Sequence, residues 1–165
     1  MRSSYSQRGF TLIELVVVII ILGVLAVVAA PKFLNLKTDA VTANLQSLQA
    51  SLQSANSLVY SKAAIDSQTS LESGEVEVNG VKIATTVGYI SATKVNIPKA
   101  VEGDFAELVS PAEAFTQDWG IYDVPNSGVY IFPQGYDINS NCNLRYSVTA
   151  NAAEPAFYDL TVTGC

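Results

Sequence analysis

An α+β fold is predicted, with a long N-terminal helix packed on a C-terminal antiparallel sheet, and three features of the sequence predict it. From Phe10 to Ala30 about 21 residues carry only Thr11 and Glu14 as polar groups. Behind that run an apolar stripe at helical spacing continues from Lys32 to Lys62 without glycine or proline. The rest of the chain alternates short β-branched and aromatic stretches with turn residues.

At 1.5 Å rise per residue the first run makes a helix of roughly 30 Å, enough to cross a bilayer. A helix satisfies every backbone donor and acceptor internally, which hydrocarbon demands. Glu14 is the exception in the run. A carboxylate there costs about 2.5–3.5 kcal/mol on insertion scales, so it calls for a function and a partner. Residues 1–9 are polar and carry Arg2 and Arg8. By the positive-inside rule they stay cytoplasmic, which puts everything after Ala30 in the periplasm or outside the cell. A secretory signal would place its small-residue cleavage site after the apolar core. Here Pro31 and Lys32-Phe33-Leu34 continue a helical pattern instead, and the small residue that stands out is Gly9, on the cytoplasmic side.

The second half of the helix is amphipathic. Leu34, Val41, Leu45, Leu48, Leu52, Ala55 and Val59 fall on one face, and Asn44, Gln46, Gln49, Gln53 and Ser54 on the other. Pro31 removes one intrahelical bond and is expected to kink the helix, with Gly23 a second weak point. From Ala63 to Gly74 the composition is that of a loop. Glu75–Val78 alternates, Asn79-Gly80 signals a type I′ turn and Val81–Ile83 returns, which reads as a hairpin. Ser110-Pro111-Ala112-Glu113 is a capping box that predicts a short helix over Pro111–Thr116. Gly128–Phe132, Leu144–Thr149 and Phe157–Val162 read as strands, the last two antiparallel across a turn at Asn151–Pro155.

Composition narrows the function. The 9 basic and 15 acidic side chains give a net charge of −6; without Arg2 and Arg8 the basic ones fall to 7 and the charge to −8. Such an acidic chain is not built to bind nucleic acid as its main partner. It has no histidine, hence neither the commonest general base nor the commonest metal ligand. There is no nucleophile with a base, no phosphate loop and no CxxC pair, so neither catalysis nor a cofactor is expected.

Arg8-Gly9-Phe10-Thr11-Leu12-Ile13-Glu14 resembles the class III signal of type IV pilins and pseudopilins. The resemblance implies that a prepilin peptidase cuts after Gly9 and methylates the new amine of Phe10. It also implies that Glu14 meets the terminal amine of a neighbouring subunit during filament assembly. The fold implied is the type IV pilin fold: a leader at 1–9, a transmembrane and polymerisation helix at 10–31 and an amphipathic helix at 32–62. The head, 63–165, would hold an αβ-loop, the sheet and a disulfide-bounded C-terminal loop. Gly23–Pro31 would lose helicity in the assembled fibre. Ala30-Pro31-Lys32-Phe33-Leu34-Asn35-Leu36 and Val59-Tyr60-Ser61-Lys62-Ala63-Ala64 are similar to the MSHA pilins, the mannose-sensitive haemagglutinin group of type IVa. That group implies a surface fibre for attachment to surfaces and glycans; a minor pilin and a type II secretion pseudopilin are the alternatives. Implied partners are further copies of the chain, the prepilin peptidase, an inner-membrane platform, an assembly ATPase and an outer-membrane secretin. The chain would sit in the inner membrane first and in an extracellular fibre afterwards.

Cys142 and Cys165 would close a loop of roughly 24 residues, worth about 3–4 kcal/mol by chain entropy and possible only in an oxidising compartment. The alternative is two free thiols. Such a loop resembles the D-region of type IV pilins, which the major pseudopilins usually lack. Asp137-Ile138-Asn139-Ser140-Asn141 opens like a calcium loop, but Cys142 and Val148 stand where the glycine and the bidentate glutamate belong, so an Asx turn competes with it. Trp119, Tyr122 and Tyr136 are either sugar-stacking aromatics or parts of the core.

Overall fold

A computed structural model describes residues 9–165, without the side chains of residues 30–35. The expected leader up to Arg8, and the side chains of Pro31 and Leu34, therefore lie outside the described residues. The chain divides into two compact units, residues 1–39 and 40–165. Helix α1, Leu12–Ile65, is assigned as one helix of 54 residues.

In the first unit, Leu12–Ala29 has a mean hydropathy of 3.2 and buries none of its residues. In the second unit α1 has one buried face: Leu45, Leu48, Leu52, Val59 and Ala63 are buried, with Val41 and Ala55 packed beside them. The helix outlasts its expected end by three residues. Ser67, at φ 57°, stops it, and the Gln68 amide bonds back to the Ala63 carbonyl at 2.8 Å. A left-handed residue just past the last turn satisfies carbonyls that would otherwise be orphaned.

A first sheet follows in the order β1 (Gly74–Val78), β2 (Val81–Thr86) and β3 (Tyr89–Ile90), all antiparallel. Asn79 and Gly80 lie at φ 52° and 80°, the pair of left-handed residues a type I′ turn requires. Helix α2 (Ile97–Ala100), a short element the sequence did not signal, leads to the second sheet. This runs β4 (Phe105–Glu107), β5 (Trp119–Val124), β6 (Gly128–Pro133), β7 (Asn143–Ser147) and β8 (Phe157–Thr161) in that spatial order. The sheet is antiparallel as expected from β5 to β8, and β4 joins its edge parallel to β5. One hydrophobic cluster joins the buried face of α1 to Val76, Ile83 and Ile90 of the first sheet and Ile121, Val129, Ile131, Leu144 and Tyr146 of the second.

The helix expected over Pro111–Thr116 is absent; a turn stands at Pro111–Ala112. Half of the capping box is nevertheless made, since the Glu113 carboxylate accepts from the amides of Val109 at 2.8 Å and Ser110 at 3.4 Å. The chain then extends because Phe115 packs edge-on against Phe132, with centroids 5.9 Å apart. A Cβ at Gly120 would lie 2.6 Å from the Phe132 ring and 2.7 Å from Phe115, so only glycine admits this pair. Packing outweighs a local helix signal worth about 1 kcal/mol.

A buried asparagine ties the elements together. Asn56 is 3% exposed on the otherwise apolar face of α1. Its Oδ1 accepts from the Ile90 amide at 2.9 Å, and its Nδ2 donates to the Tyr158 hydroxyl at 2.7 Å and the Tyr146 hydroxyl at 3.1 Å. The Tyr146 hydroxyl also lies near Asn56 Oδ1, but its single proton goes to the shorter contact, the Ile90 carbonyl at 2.6 Å. The edge of β3 thus pairs with two side chains where no further strand lies beside it. Asn96, also buried, does the same for Ala84 of β2, accepting its amide at 3.0 Å and donating to its carbonyl at 2.6 Å.

Replacing Asn56 by alanine strands the buried Ile90 amide and takes away the donor shared by the Tyr146 and Tyr158 hydroxyls. Asn56→Ala is expected to lower stability by about 2–4 kcal/mol and Tyr146→Phe by about 1–2 kcal/mol. Urea unfolding of the full-length protein in detergent, followed by Trp119 fluorescence, measures both. Burial foremost pushes the Tyr146 and Tyr158 phenols above their ordinary value. Above pH 10 the unfolded chain releases these protons while the folded chain holds them, so stability is full below about pH 10 and falls as pH rises beyond it. Tyr146→Phe should flatten that alkaline loss. An equally steep fall in the variant would show that other groups cause it.

Candidate assembly site

Gly9 and Phe10 precede α1, and Phe10 is 90% exposed. Thr11 caps the helix. Its hydroxyl accepts from the Glu14 amide at 3.3 Å, while Glu14 Oε2 accepts from the Thr11 amide and the Thr11 hydroxyl, each at 2.8 Å. This reciprocal capping box explains why the helix begins where it does. It also places the only carboxylate of the apolar segment over the positive end of the helix dipole. Hydropathy alone does not single out Thr11, although the Thr11-x-x-Glu14 spacing before an apolar run signals its role. Both bonds end on Oε2; Oε1 accepts none among the described residues.

The structure therefore brings Gly9, Phe10 and Glu14 together at one helix end. Gly23 lies farther along the same helix, where a Cβ would meet nothing within 4 Å, so packing within the chain does not require glycine there. The helix assignment runs through both Gly23 and Pro31.

In the second unit Cys142 and Cys165 are bonded, with Cα atoms 4.9 Å apart and a separation of 23 in sequence. The bond closes the β7–β8 hairpin at its open end, and the Tyr136 hydroxyl donates to the Cys165 carbonyl at 2.9 Å. The segment from Asp137 forms an Asx turn. One carboxylate oxygen accepts from the Asn139 amide at 2.9 Å and the Ser140 hydroxyl at 2.6 Å. The Ser140 hydroxyl, helped by the backbone amides of Asn139 and Ser140, holds the Asp137 carboxyl below its usual range. No cluster of three metal-ligating acidic, cysteine or histidine side chains occurs among the described residues.

The three aromatics singled out in the sequence do not converge. Trp119 lines a depression with Glu102 and Asp118, while Tyr136 lines another beside Phe115. Tyr122, three residues after Trp119 on β5, pairs with Tyr130 of β6.

Comparison with known proteins gives this arrangement a family. The model of the prokaryotic N-terminal methylation motif matches residues 5–30. The chain is 31% identical over 161 residues to the fimbrial protein EcpC of Eikenella corrodens, covering 90% of this chain and 94% of that one. It is 41% identical over 56 residues to the type IV narrow pilus major component PilA5 of Thermus thermophilus, spanning 34% of this chain and about half, 48%, of that one. Over 54 residues it is 48% identical to the type II secretion system core protein G of Pectobacterium carotovorum, 33% of this chain and 35% of that one. No solved structure matches. A long N-terminal apolar helix followed by β-sheets, with an N-methylation motif at its start, defines a pilin-like subunit. The chain belongs to the type IV pilin-like family of fimbrial proteins.

Opening the disulfide frees the end of β8 in the unfolded ensemble and the folded one alike. Cys142→Ser with Cys165→Ser is expected to lose about 3–4 kcal/mol by the chain-entropy estimate. Urea unfolding with and without reductant gives the difference, and a loss under 1 kcal/mol would mean that the hydrogen bonds of the hairpin alone hold the C-terminus.

Proposed function

We propose that this protein is the structural subunit of a type IV, MSHA-like pilus, polymerising through its N-terminal helix into a surface fibre for attachment to surfaces and glycans. The single observation that carries the reading is the apolar segment Leu12–Ala29, wholly unburied within the subunit and headed by one carboxylate. A segment of that kind needs lipid or other copies of itself around it.

In this reading a prepilin peptidase cleaves between Gly9 and Phe10 and methylates the Phe10 amine, which stays cationic. Glu14 keeps Oε2 on its own Thr11 and offers Oε1 to the ammonium of a neighbouring subunit. Opposite charges attract strongly where water is scarce, but their desolvation offsets much of the gain. The pair therefore sets register more than it supplies affinity. Lipid tails are as apolar as these side chains, so leaving the bilayer for a helical bundle gains little hydrophobic energy. The work falls to a cytoplasmic ATPase acting through an inner-membrane platform, and the fibre leaves through a secretin. Until then the chain rests in the inner membrane with its C-terminus in the periplasm. Within the fibre, Gly23–Pro31 loses helicity and lets the polymer stretch, since proline removes a helical bond and glycine weakens the run.

Likeness to a secretion-system protein covers only the N-terminal third of the chain, whereas the fimbrial likeness covers nearly all of it. The bonded cysteines also favour a pilus over a pseudopilus. The intact mass of protein sheared from cells tests the reading. Loss of residues 1–9, one added methyl group and a deficit of two hydrogens are expected. A Glu14→Val strain should keep the protein in its inner membrane and release at least tenfold less sheared material. An uncleaved N-terminus, or undiminished fibre in the variant, overturns the assembly mechanism. Cleaved protein confined to the cell envelope would instead mark a pseudopilin or a minor pilin.

A further inference from the structure

A groove of about 410 Å³ opens beside the C-terminal part of α1. Three tyrosines from three elements converge on it: Tyr60 of α1, Tyr89 of β3 and Tyr158 of β8. The Tyr60 and Tyr89 rings lie 4.8 Å apart at 32°. Tyr158 rests on Tyr146 at 5.3 Å, with its hydroxyl held by Asn56 at 2.7 Å. The buried network thus fixes this side of the groove before any ligand arrives, and a preformed site binds without the cost of ordering it.

Helix α1 also lines the groove with Gln53, Ser57 and Ser61, which recur every fourth residue. The Ser57 hydroxyl donates to the Gln53 carbonyl at 3.0 Å and that of Ser61 to the Ser57 carbonyl at 2.7 Å. Their protons are committed, so what they offer a ligand is lone pairs. Gln53 offers both a donor and an acceptor. Among the described residues no charged side chain lines the groove, although the chain carries 15 acidic and 9 basic residues. The depression at Trp119, by contrast, is lined by two carboxylates.

We propose that this groove is a binding site for a neutral pyranose sugar. The apolar C–H face of the ring stacks on the tyrosines, and its hydroxyls donate to Ser57 and Ser61 and exchange hydrogen bonds with Gln53. A charged ligand would find no counter-charge. A proline-rich strand also favours aromatic grooves, but it has no hydroxyl protons for the row of acceptors along the helix. The proposal rests on the adhesive part of the function proposed above and gives that adhesion a place. A shallow open site binds one sugar weakly. A fibre repeats it in every subunit, and linked sites raise avidity by about 10²–10⁴ without any new contact.

The test uses intact sheared fibres on immobilised neutral glycosides of glucose, galactose, mannose and N-acetylglucosamine, beside sialylated and sulfated glycans and a proline-rich peptide. Native fibres should hold at least one neutral glycoside. Tyr60→Ala and Ser57→Arg should each weaken that binding tenfold or more, while Tyr60→Phe, which keeps the ring, retains it. Unchanged binding in the first two variants overturns the site. So does a preference for the charged glycans or for the peptide. Fibres that attach to host cells but hold no glycoside would leave adhesion standing and remove the groove; fibres that do neither would remove both. If a variant yields no fibre, saturation-transfer NMR of the same glycosides on detergent-solubilised full-length protein decides, and native protein showing no transfer from tyrosine protons overturns the proposal.

Discussion

The head of this protein depends on one polar side chain in an apolar place. Asn56 sits between Leu52 and Val59 on the buried face of α1, where burying an unpaired amide would cost roughly 2–7 kcal/mol. It is tolerated because every hydrogen-bonding group is used, on Ile90 of one sheet and on Tyr146 and Tyr158 of the other. Hydrophobic burial alone would let α1 slide or rotate over the sheets, since Leu45, Leu48 and Leu52 offer no directional contact. The amide permits one register. It also closes the open edge of β3, a two-residue strand that could not hold its place by pairing with β2 alone.

The N-terminal unit obeys a different constraint. Among the described residues, the stretch Leu12–Ala29 buries none of its side chains within the chain. What fixes its start is again a side chain closing on the backbone, in the reciprocal bonds of Thr11 and Glu14. A carboxylate bound locally at the positive end of a helix is less costly in lipid than a bare one. The local cap thus accounts for how the apolar run tolerates Glu14 within a single chain. The intersubunit pairing proposed above would use the other carboxylate oxygen, so it need not displace the local cap.

The same motif occurs twice with different outcomes. Thr11-x-x-Glu14 opens a helix of 54 residues, whereas Ser110-x-x-Glu113 opens only a turn. Both glutamates fold back onto amides. The difference lies on the C-terminal side of each box. Beyond Glu14 no glycine comes before Gly23 and no proline before Pro31; beyond Glu113 stands Phe115, whose ring is drawn onto Phe132 across the space left by Gly120. A capping box marks a place where a helix can begin; whether one does is decided by neighbours the local sequence does not contain.

The sequence by itself determined the long helix and its division into an all-apolar and an amphipathic half, the hairpin at Asn79-Gly80 and the strands near Gly128, Leu144 and Phe157. These follow from local periodicity and turn chemistry, which a chain carries wherever it folds. Only the tertiary structure decided that Asn56 is a core residue, that β4 runs parallel to β5, and that Trp119, Tyr122 and Tyr136 part company while Tyr60, Tyr89 and Tyr158 meet. Those residues lie as many as 102 positions apart in the chain, Asn56 to Tyr158. No periodicity links such distant positions. They are joined by long-range hydrogen bonds and ring contacts, which exist only once the helix has docked.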